Sequence, residues 1–189
     1  MVGWIIFGIV AVLIIALIAW LVGVYNKLIK AKNRVKNSWS QIDVQLNRRF
    51  DLIPNLAETV KGYAKHESGI FEEFARARNV YSQASGTGNI AGMSEANNML
   101  TSALSKLIAV SEAYPELKAN ANFASMMQEL SITEDKIAYA RQFYNDVAMT
   151  YNNLREVFPS NIVAGMFSFK EAELFQAPEE SRKNVKVQF

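Results

Sequence analysis

The sequence predicts an all-α protein: an N-terminal transmembrane helix, then an antiparallel four-helix bundle, then an apolar C-terminal tail. Residues 3 to 24 form one uncharged apolar run. Beyond them, apolar residues recur three and four apart with short breaks, which is the pattern of amphipathic helices joined by short loops. We therefore expect an anchor over 1–25, a bundle over 26–158, and a tail over 159–189 that lies near the membrane.

The apolar run is long enough to cross a bilayer, since about 20 residues rising 1.5 Å each span roughly 30 Å of hydrocarbon. Trp4 lies near one end, and Trp20 and Tyr25 lie near the other, where amphipathic rings favour the headgroup layer. A signal peptide carries basic residues before its apolar stretch, whereas only two uncharged residues precede this one. The chain has no cysteine for a lipid anchor. We expect a retained transmembrane helix.

Five cations follow the run, and basic flanks stay on the cytoplasmic side of a membrane. The sequence thus predicts an outside N-terminus and a cytoplasmic soluble part, with which the lack of cysteine is compatible. The lipid-facing basic cluster consists of Lys27, Lys30, Lys32, Arg34 and Lys36.

Charge is divided unevenly along the chain. Residues 27–49 carry seven Lys or Arg and one acid, a sum of +6, so the net charge of +2 leaves −4 for residues 50–189. Each juxtamembrane cation gains about 1 kcal/mol beside an anionic leaflet, so anionic lipid is an expected partner. Nucleic acid is not expected, because no recognition element accompanies the basic residues.

Helix one is predicted from Leu28, Val35 and Ile42, which recur every seven residues, with Trp39 and Leu46 on the same stripe. A second stripe ends at a Ser-Gly-Thr-Gly loop and predicts helix two. Its members are Ile53, Leu56, Val60, Tyr63, Ile70, Phe74, Ala77 and Tyr81.

Helix three is predicted after Gly92 and breaks at Tyr114-Pro115, because proline disfavours helix in the residue before it. Helix four has the most regular stripe, which runs from Phe123 to Phe158. An alternative stays open: Ser131 to Glu134 has the spacing of a capping box that would start helix four, with helix three kinked at Pro115. Both versions give four helices.

A corner is predicted between helices one and two, at the tip farthest from the membrane. Asp51 would cap helix two, Pro54 would lie in its first turn, and Arg48 and Arg49 would close helix one. The alternative is a recognition corner for another subunit or protein, because an arginine pair beside an exposed Phe50 resembles an interface hot spot.

The tail is rich in large apolar groups, which water disfavours on a free chain. Packing on its own bundle, insertion at the lipid interface and contact with a neighbouring subunit are all open. The topology also brings the 85–92 loop close to the bilayer. The apolar groups are Ile162, Val163, Met166, Phe167, Phe169, Leu174 and Phe175.

Tyr144-Asn145 and Tyr151-Asn152 repeat seven residues apart, which we interpret as a polar ladder that fixes helix register. Catalytic patterns are lacking, since His66 is the one histidine and no metal-ligand or acid-base spacing occurs. We expect no enzyme activity, no cofactor and no metal.

The segment LNRRFDLIPNL (46–56), with YPELKA (114–119) and FPSN (158–161), resembles the signature of the LemA family of bacterial membrane proteins. The resemblance implies one N-terminal transmembrane helix bearing an antiparallel bundle in the bacterial cell membrane. The family has no established enzymatic activity, and a relative is tied to forming magnetosome membranes.

These features favour a membrane-anchored scaffold that forms a homo-oligomer and organises or shapes membrane. The alternative is an adaptor that tethers a membrane enzyme such as a protease, or a signalling partner. The two differ in stoichiometry, because a scaffold is large when pure whereas an adaptor stays small until its partner is added.

Overall fold

The computed structural model describes residues 1–63 and 68–175. Both ranges are helical apart from short connections and an extended stretch near the end, and neither contains a strand. The predicted all-α class is confirmed. The helices are α1 Val2–Lys61, α2 Ser68–Thr87, α3 Ile90–Ala113, α4 Pro115–Lys118, α5 Ala121–Glu156 and α6 Ser160–Met166.

Helix α1 is continuous over 60 residues, about 90 Å at 1.5 Å per residue. Its N-terminal part has a mean hydropathy of 3.2 and is not covered by the rest of the chain, so it is long and apolar enough to cross a membrane. From Leu28 onwards one side of the same helix is buried in the bundle. The apolar segment and the first bundle helix are therefore one element.

The predicted corner does not exist. Pro54 lies inside α1, and Asp51 is exposed within the helix, so it caps nothing. Proline inside a helix costs about 3 kcal/mol. Ile53, Leu56 and Val60 are each at most 3% exposed, and burying three such side chains yields roughly 1.5 to 3 kcal/mol apiece, which outweighs that cost. Burial of these three side chains thus explains why α1 continues past Pro54.

The turn between α2 and α3 is shorter than the predicted 85–92 loop. Only Gly88 and Asn89 separate the helices; Gly88 has a φ of +67°, and the Asn89 side chain accepts a hydrogen bond from the Gly92 N–H at 3.0 Å. This turn lies beside Lys36 and Trp39 of α1, about 20 Å beyond the end of the apolar run. It is not close to the bilayer, contrary to the prediction.

Helix α5 begins at Ala121, where Asn120 caps it by accepting hydrogen bonds from the N–H groups of Asn122 and Phe123 at 2.9 and 3.1 Å. Ser131 to Glu134 is inside α5. The capping-box alternative is therefore wrong, and the helix boundary falls at the Tyr114-Pro115 break.

The bundle consists of two antiparallel pairs, α1 with α5 and α2 with α3. Trp39 contacts Tyr144, and Arg48, farther along α1, pairs with Glu129, farther back on α5. The two pairs enclose one core, which includes most of the predicted stripes. Its central members are Ile42, Leu46, Ile53, Leu56, Val60, Ile70, Phe74, Ala77, Tyr81, Ala96, Leu100, Ala103, Leu107, Phe123, Leu130, Ile137 and Tyr144.

Candidate membrane-contact and assembly surfaces

The described part of the tail, residues 159–175, folds back along the bundle. Helix α6 packs Val163 and Ala164 against Leu28, and Leu21 borders the same small cluster. Leu21 belongs to the last turns of the apolar run, and Leu28 lies about one turn beyond the end of the run, Val24. Helix α6 therefore lies against the point where α1 leaves the predicted membrane span.

Aromatic contacts continue this packing beyond α6. The rings of Phe167 and Phe169 lie 4.7 and 5.8 Å from the ring of Tyr25, centroid to centroid. The chain then extends along α5 to Phe175, which is 1% exposed and packs at 6.0 Å from Trp39. The tail thus joins the membrane end of α1 to the main core.

Two asparagines of α5 hold the extended part of the tail by its backbone. The Asn145 amide donates to the Phe175 carbonyl at 3.1 Å, and its oxygen accepts from the Phe175 N–H at 2.9 Å. Asn152 makes the same pair of hydrogen bonds with Ala172, both at 2.9 Å. Each asparagine side chain thus makes the two backbone hydrogen bonds that a residue of a neighbouring antiparallel strand would make.

Two tyrosines complete this arrangement. The Tyr144 hydroxyl donates to the Glu173 carbonyl at 2.6 Å, and the Tyr151 hydroxyl donates to the Lys170 carbonyl at 2.7 Å. Burial raises the pKa of Tyr144 to about 12 and also raises the pKa of Tyr151. Both hydroxyls therefore stay protonated at neutral pH and remain donors.

The spacing explains why the two Tyr-Asn pairs fit the tail. Seven residues of helix advance about 10.5 Å, and three residues of extended chain advance about 10 Å. Residues seven apart on α5 thus meet tail residues three apart, as Asn145 and Asn152 do with Phe175 and Ala172. The ladder binds the tail backbone, so the interpretation that it fixes the register between bundle helices is wrong.

The seven predicted tail residues do not form one surface. Val163 and Phe175 are buried and Phe169 is half-buried, so these three pack on the chain's own bundle. The other four are exposed: Ile162, Met166, Phe167 and Leu174.

All five members of the basic cluster are exposed. Lys27, Lys30 and Arg34 line a groove against α5, whereas Lys32 and Lys36 face the tail and the α2–α3 turn. None of them forms an ion pair with another residue in the two described ranges. Lys27 lies within a Debye length, about 8 Å, of the end of the apolar run, and Lys30 lies about 9 Å from it.

The predicted signature corner instead contributes to the bundle core. Phe50, expected to be exposed, is 4% exposed and stacks on Tyr81 with ring centroids 4.3 Å apart. Arg48 forms an exposed ion pair with Glu129 at 2.6 Å. These residues hold α1 against α2 and α5.

Arg49 is 1% exposed at the centre of the bundle. It forms an ion pair with Glu134 of α5 and hydrogen bonds with Asn97 and Thr101 of α3, the latter at 2.9 Å. Desolvation lowers the pKa of Arg49 to about 10, against the opposing effect of Glu134. Burial likewise raises the pKa of Glu134, against the opposing effect of Arg49. One arginine thus connects three helices through polar contacts.

Sequence reasoning missed this network, although a signal for it exists. Arg49 lies three residues after Leu46 and four before Ile53, so it occupies the buried stripe of α1. A charged residue at such a position needs partners on neighbouring helices.

An apolar stripe lies on the outer side of the α1–α5 pair. Val44 of α1 and Tyr139 of α5 are 61% and 76% exposed, and with Phe143 they line a groove away from α2 and α3. Ile132 continues the stripe along α5. No residue in the described ranges covers this surface.

The part of the chain that the structure describes contains no group of three His, Cys, Asp or Glu side chains able to hold a metal ion. His66 and Glu67 lie outside the described residues.

A sequence model of the LemA family matches residues 38–189, which include most of the bundle and the tail. The chain belongs to the LemA family. The match begins after the basic cluster, so it is the bundle and tail that carry membership.

This LemA-family chain is similar to proteins of several bacteria. It is 29% identical over 186 residues to magnetosome protein MamQ 2 of Paramagnetospirillum magneticum strain AMB-1, with 86% of this chain and 68% of that protein covered. It is 26% identical over 166 residues to protein LemA of Metamycoplasma hominis, with 87% and 74% covered. It is 26% identical over 185 residues to MamQ of Magnetospirillum gryphiswaldense, with 86% and 68% covered. Together with the apolar N-terminal helix, these relatives indicate a bacterial membrane-associated protein.

Removing both ladder amides should release the tail. Asn145→Ala with Asn152→Ala deletes four hydrogen bonds, worth roughly 2 to 6 kcal/mol in total at about 0.5 to 1.5 each. Amide hydrogen exchange at Ala172 and Phe175 should accelerate, because their N–H groups donate to these asparagines. Asn153→Ala, on an exposed neighbouring residue, should leave that exchange unchanged. Full protection in the double variant would contradict the ladder.

Removing the charge of Glu134 should leave Arg49 buried without a counter-ion. We expect Glu134→Gln to lower the free energy of unfolding by about 3 kcal/mol, the low end for a buried pair because Glu134 is partly exposed. Adding Arg49→Met should recover most of this loss, since no uncompensated charge then remains. Arg48→Met, which breaks the exposed pair, should cost at most about 1 kcal/mol. Denaturation of the full chain in detergent measures the parent and these three variants, and a Glu134→Gln variant as stable as the parent would refute the assignment.

Proposed function

We propose that this protein is a membrane-anchored, non-enzymatic scaffold that self-assembles at the cytoplasmic membrane and there organises or shapes the membrane. The observation that carries the proposal is the continuity of α1 from the apolar run to the far end of the bundle. Because no break separates the anchor from the bundle, the bundle of each copy lies at the same distance from the membrane. The part of α1 from Val24 to Lys61 is about 55 Å long.

This common height supports self-assembly through the outer stripe of α1 and α5. Neighbouring copies in one membrane present Val44, Tyr139 and Phe143 at the same distance from the lipid, as a lateral contact between them requires. Exposed tyrosine and phenylalanine are typical of interface hot spots. We assign the stripe to a second copy of this chain.

Relatives add support of a different kind, because two of them are named magnetosome proteins. An assembly of rigid, membrane-bound bundles is a means of organising a membrane. The alternative is an adaptor that holds a membrane enzyme such as a protease, or a signalling partner, on the same stripe.

Changing Tyr139 should separate the copies. A hot-spot tyrosine contributes about 2 kcal/mol, so Tyr139→Arg should weaken association roughly 30-fold. Sedimentation of the purified full chain in mild detergent should show a large particle for the parent and small species for the variant. Ile108→Arg is the matched control, since Ile108 is exposed on α3, away from the stripe.

Three results would count against this proposal. A parent chain that sediments as a monomer and enlarges only when another membrane protein is added favours the adaptor. Particles that resist Tyr139→Arg but dissociate with Phe167→Asp place assembly in the tail. Equal effects of Tyr139→Arg and Ile108→Arg mean that added charge alone disperses the particle.

We also propose that the basic cluster sets the orientation, with the N-terminus outside and the bundle in the cytoplasm. Changing Lys30, Lys32 and Lys36 to glutamate should invert or scramble the topology. A reporter fused after Phe189 measures this, and a fully cytoplasmic reporter in the triple variant would contradict the orientation argument.

A further inference from the structure

Helix α6 has apolar side chains on two opposite faces. One face packs Val163 and Ala164 against α1. The other carries Ile162 and Met166, one turn apart and 50% and 65% exposed, and Phe158, which precedes the helix, is 79% exposed. A seven-residue helix in a water-soluble protein would present polar groups on that second face.

The position of this face identifies its surroundings. The opposite side of α6 contacts Leu28 and borders Leu21, and Phe167 touches Tyr25, so α6 sits alongside the last turns of the apolar run. The apolar surface of α6 therefore lies next to the apolar residues at the end of the run. Where α1 borders hydrocarbon and headgroups, the outer face of α6 borders them too.

Charge agrees with this position. Lys27 and Lys30 are exposed on α1, within one turn of Leu28 along the helix. Apolar and aromatic groups accompanied by lysines are the composition of helices that lie in the interface of an anionic membrane.

We propose that the outer face of α6, formed by Ile162 and Met166, and the exposed rings of Phe158 and Phe167 at the two ends of the helix insert into the acyl and headgroup boundary of the membrane that α1 crosses. This second lipid contact rests on α6 and is independent of self-assembly through the outer stripe. Because the Tyr-Asn ladder ties the tail to α5, insertion fixes the bundle to the membrane surface at a point away from the α1 axis. It thereby restricts how far the bundle can tilt or rotate about its anchor.

The chain lacks cysteine, so single-cysteine variants can each carry one nitroxide label. Ile162→Cys and Met166→Cys report on α6 and lose only exposed side chains. Ile18→Cys, within the apolar run, is the reference for a lipid-exposed label, and Ser82→Cys, exposed on α2, is the reference for water. The full chain is reconstituted in vesicles of phosphatidylcholine and phosphatidylglycerol. Collisions of each label with molecular oxygen and with a water-soluble nickel complex are measured.

The two α6 labels should collide with oxygen more often than with nickel, at a depth of about 5 to 10 Å below the headgroup boundary. Labels that meet nickel as freely as the one at Ser82 would overturn the proposal. So would labels shielded from both reagents, which indicate a protein contact, and repeating the measurement at high lipid dilution shows whether that contact is with a second copy. Since Tyr139→Arg can be combined with either label, loss of assembly and loss of insertion are read separately.

Discussion

The continuity of α1 is the constraint on which the rest of the structure depends. A helix that crosses hydrocarbon must satisfy its backbone internally, and here that same helix continues as the first helix of the bundle. Its pairing with α5 fixes the direction of α5, and α5 in turn carries the residues that bind the tail. The anchor, the bundle and the tail are thus placed by one rigid element.

Polar contacts in buried places then specify how the elements fit. Apolar stripes alone permit helices to slide by a turn, since one leucine packs much like another. Arg49 finds its partners in only one register of α1, α3 and α5, and Asn145 and Asn152 accept the tail in only one register. The buried ion pair of Arg49 with Glu134 adds little net stability, because desolvation offsets its attraction. We infer that this pair serves mainly to make the fold unique.

Surfaces of different chemistry lie at different heights along the anchored bundle. Beside the end of the apolar run are the outer face of α6 and the first lysines of the basic cluster, and farther out is the apolar stripe around Tyr139. The proposed scaffold role depends on this arrangement, since contacts with lipid and contacts between copies would be made at the same time.

Local sequence determined the helical class, the apolar run, the basic cluster and most of the core, because each depends on composition or on spacing along a single element. The tertiary structure alone decided where α1 ends, since Pro54 is a helix breaker unless distant partners bury the residues around it. It also decided the role of Asn145 and Asn152, because their seven-residue spacing is equally compatible with contact to a helix and with contact to an extended chain. Whether an apolar group is covered, as Phe50 is and Ile162 is not, depends on what packs against it, and spacing along one helix does not contain that information.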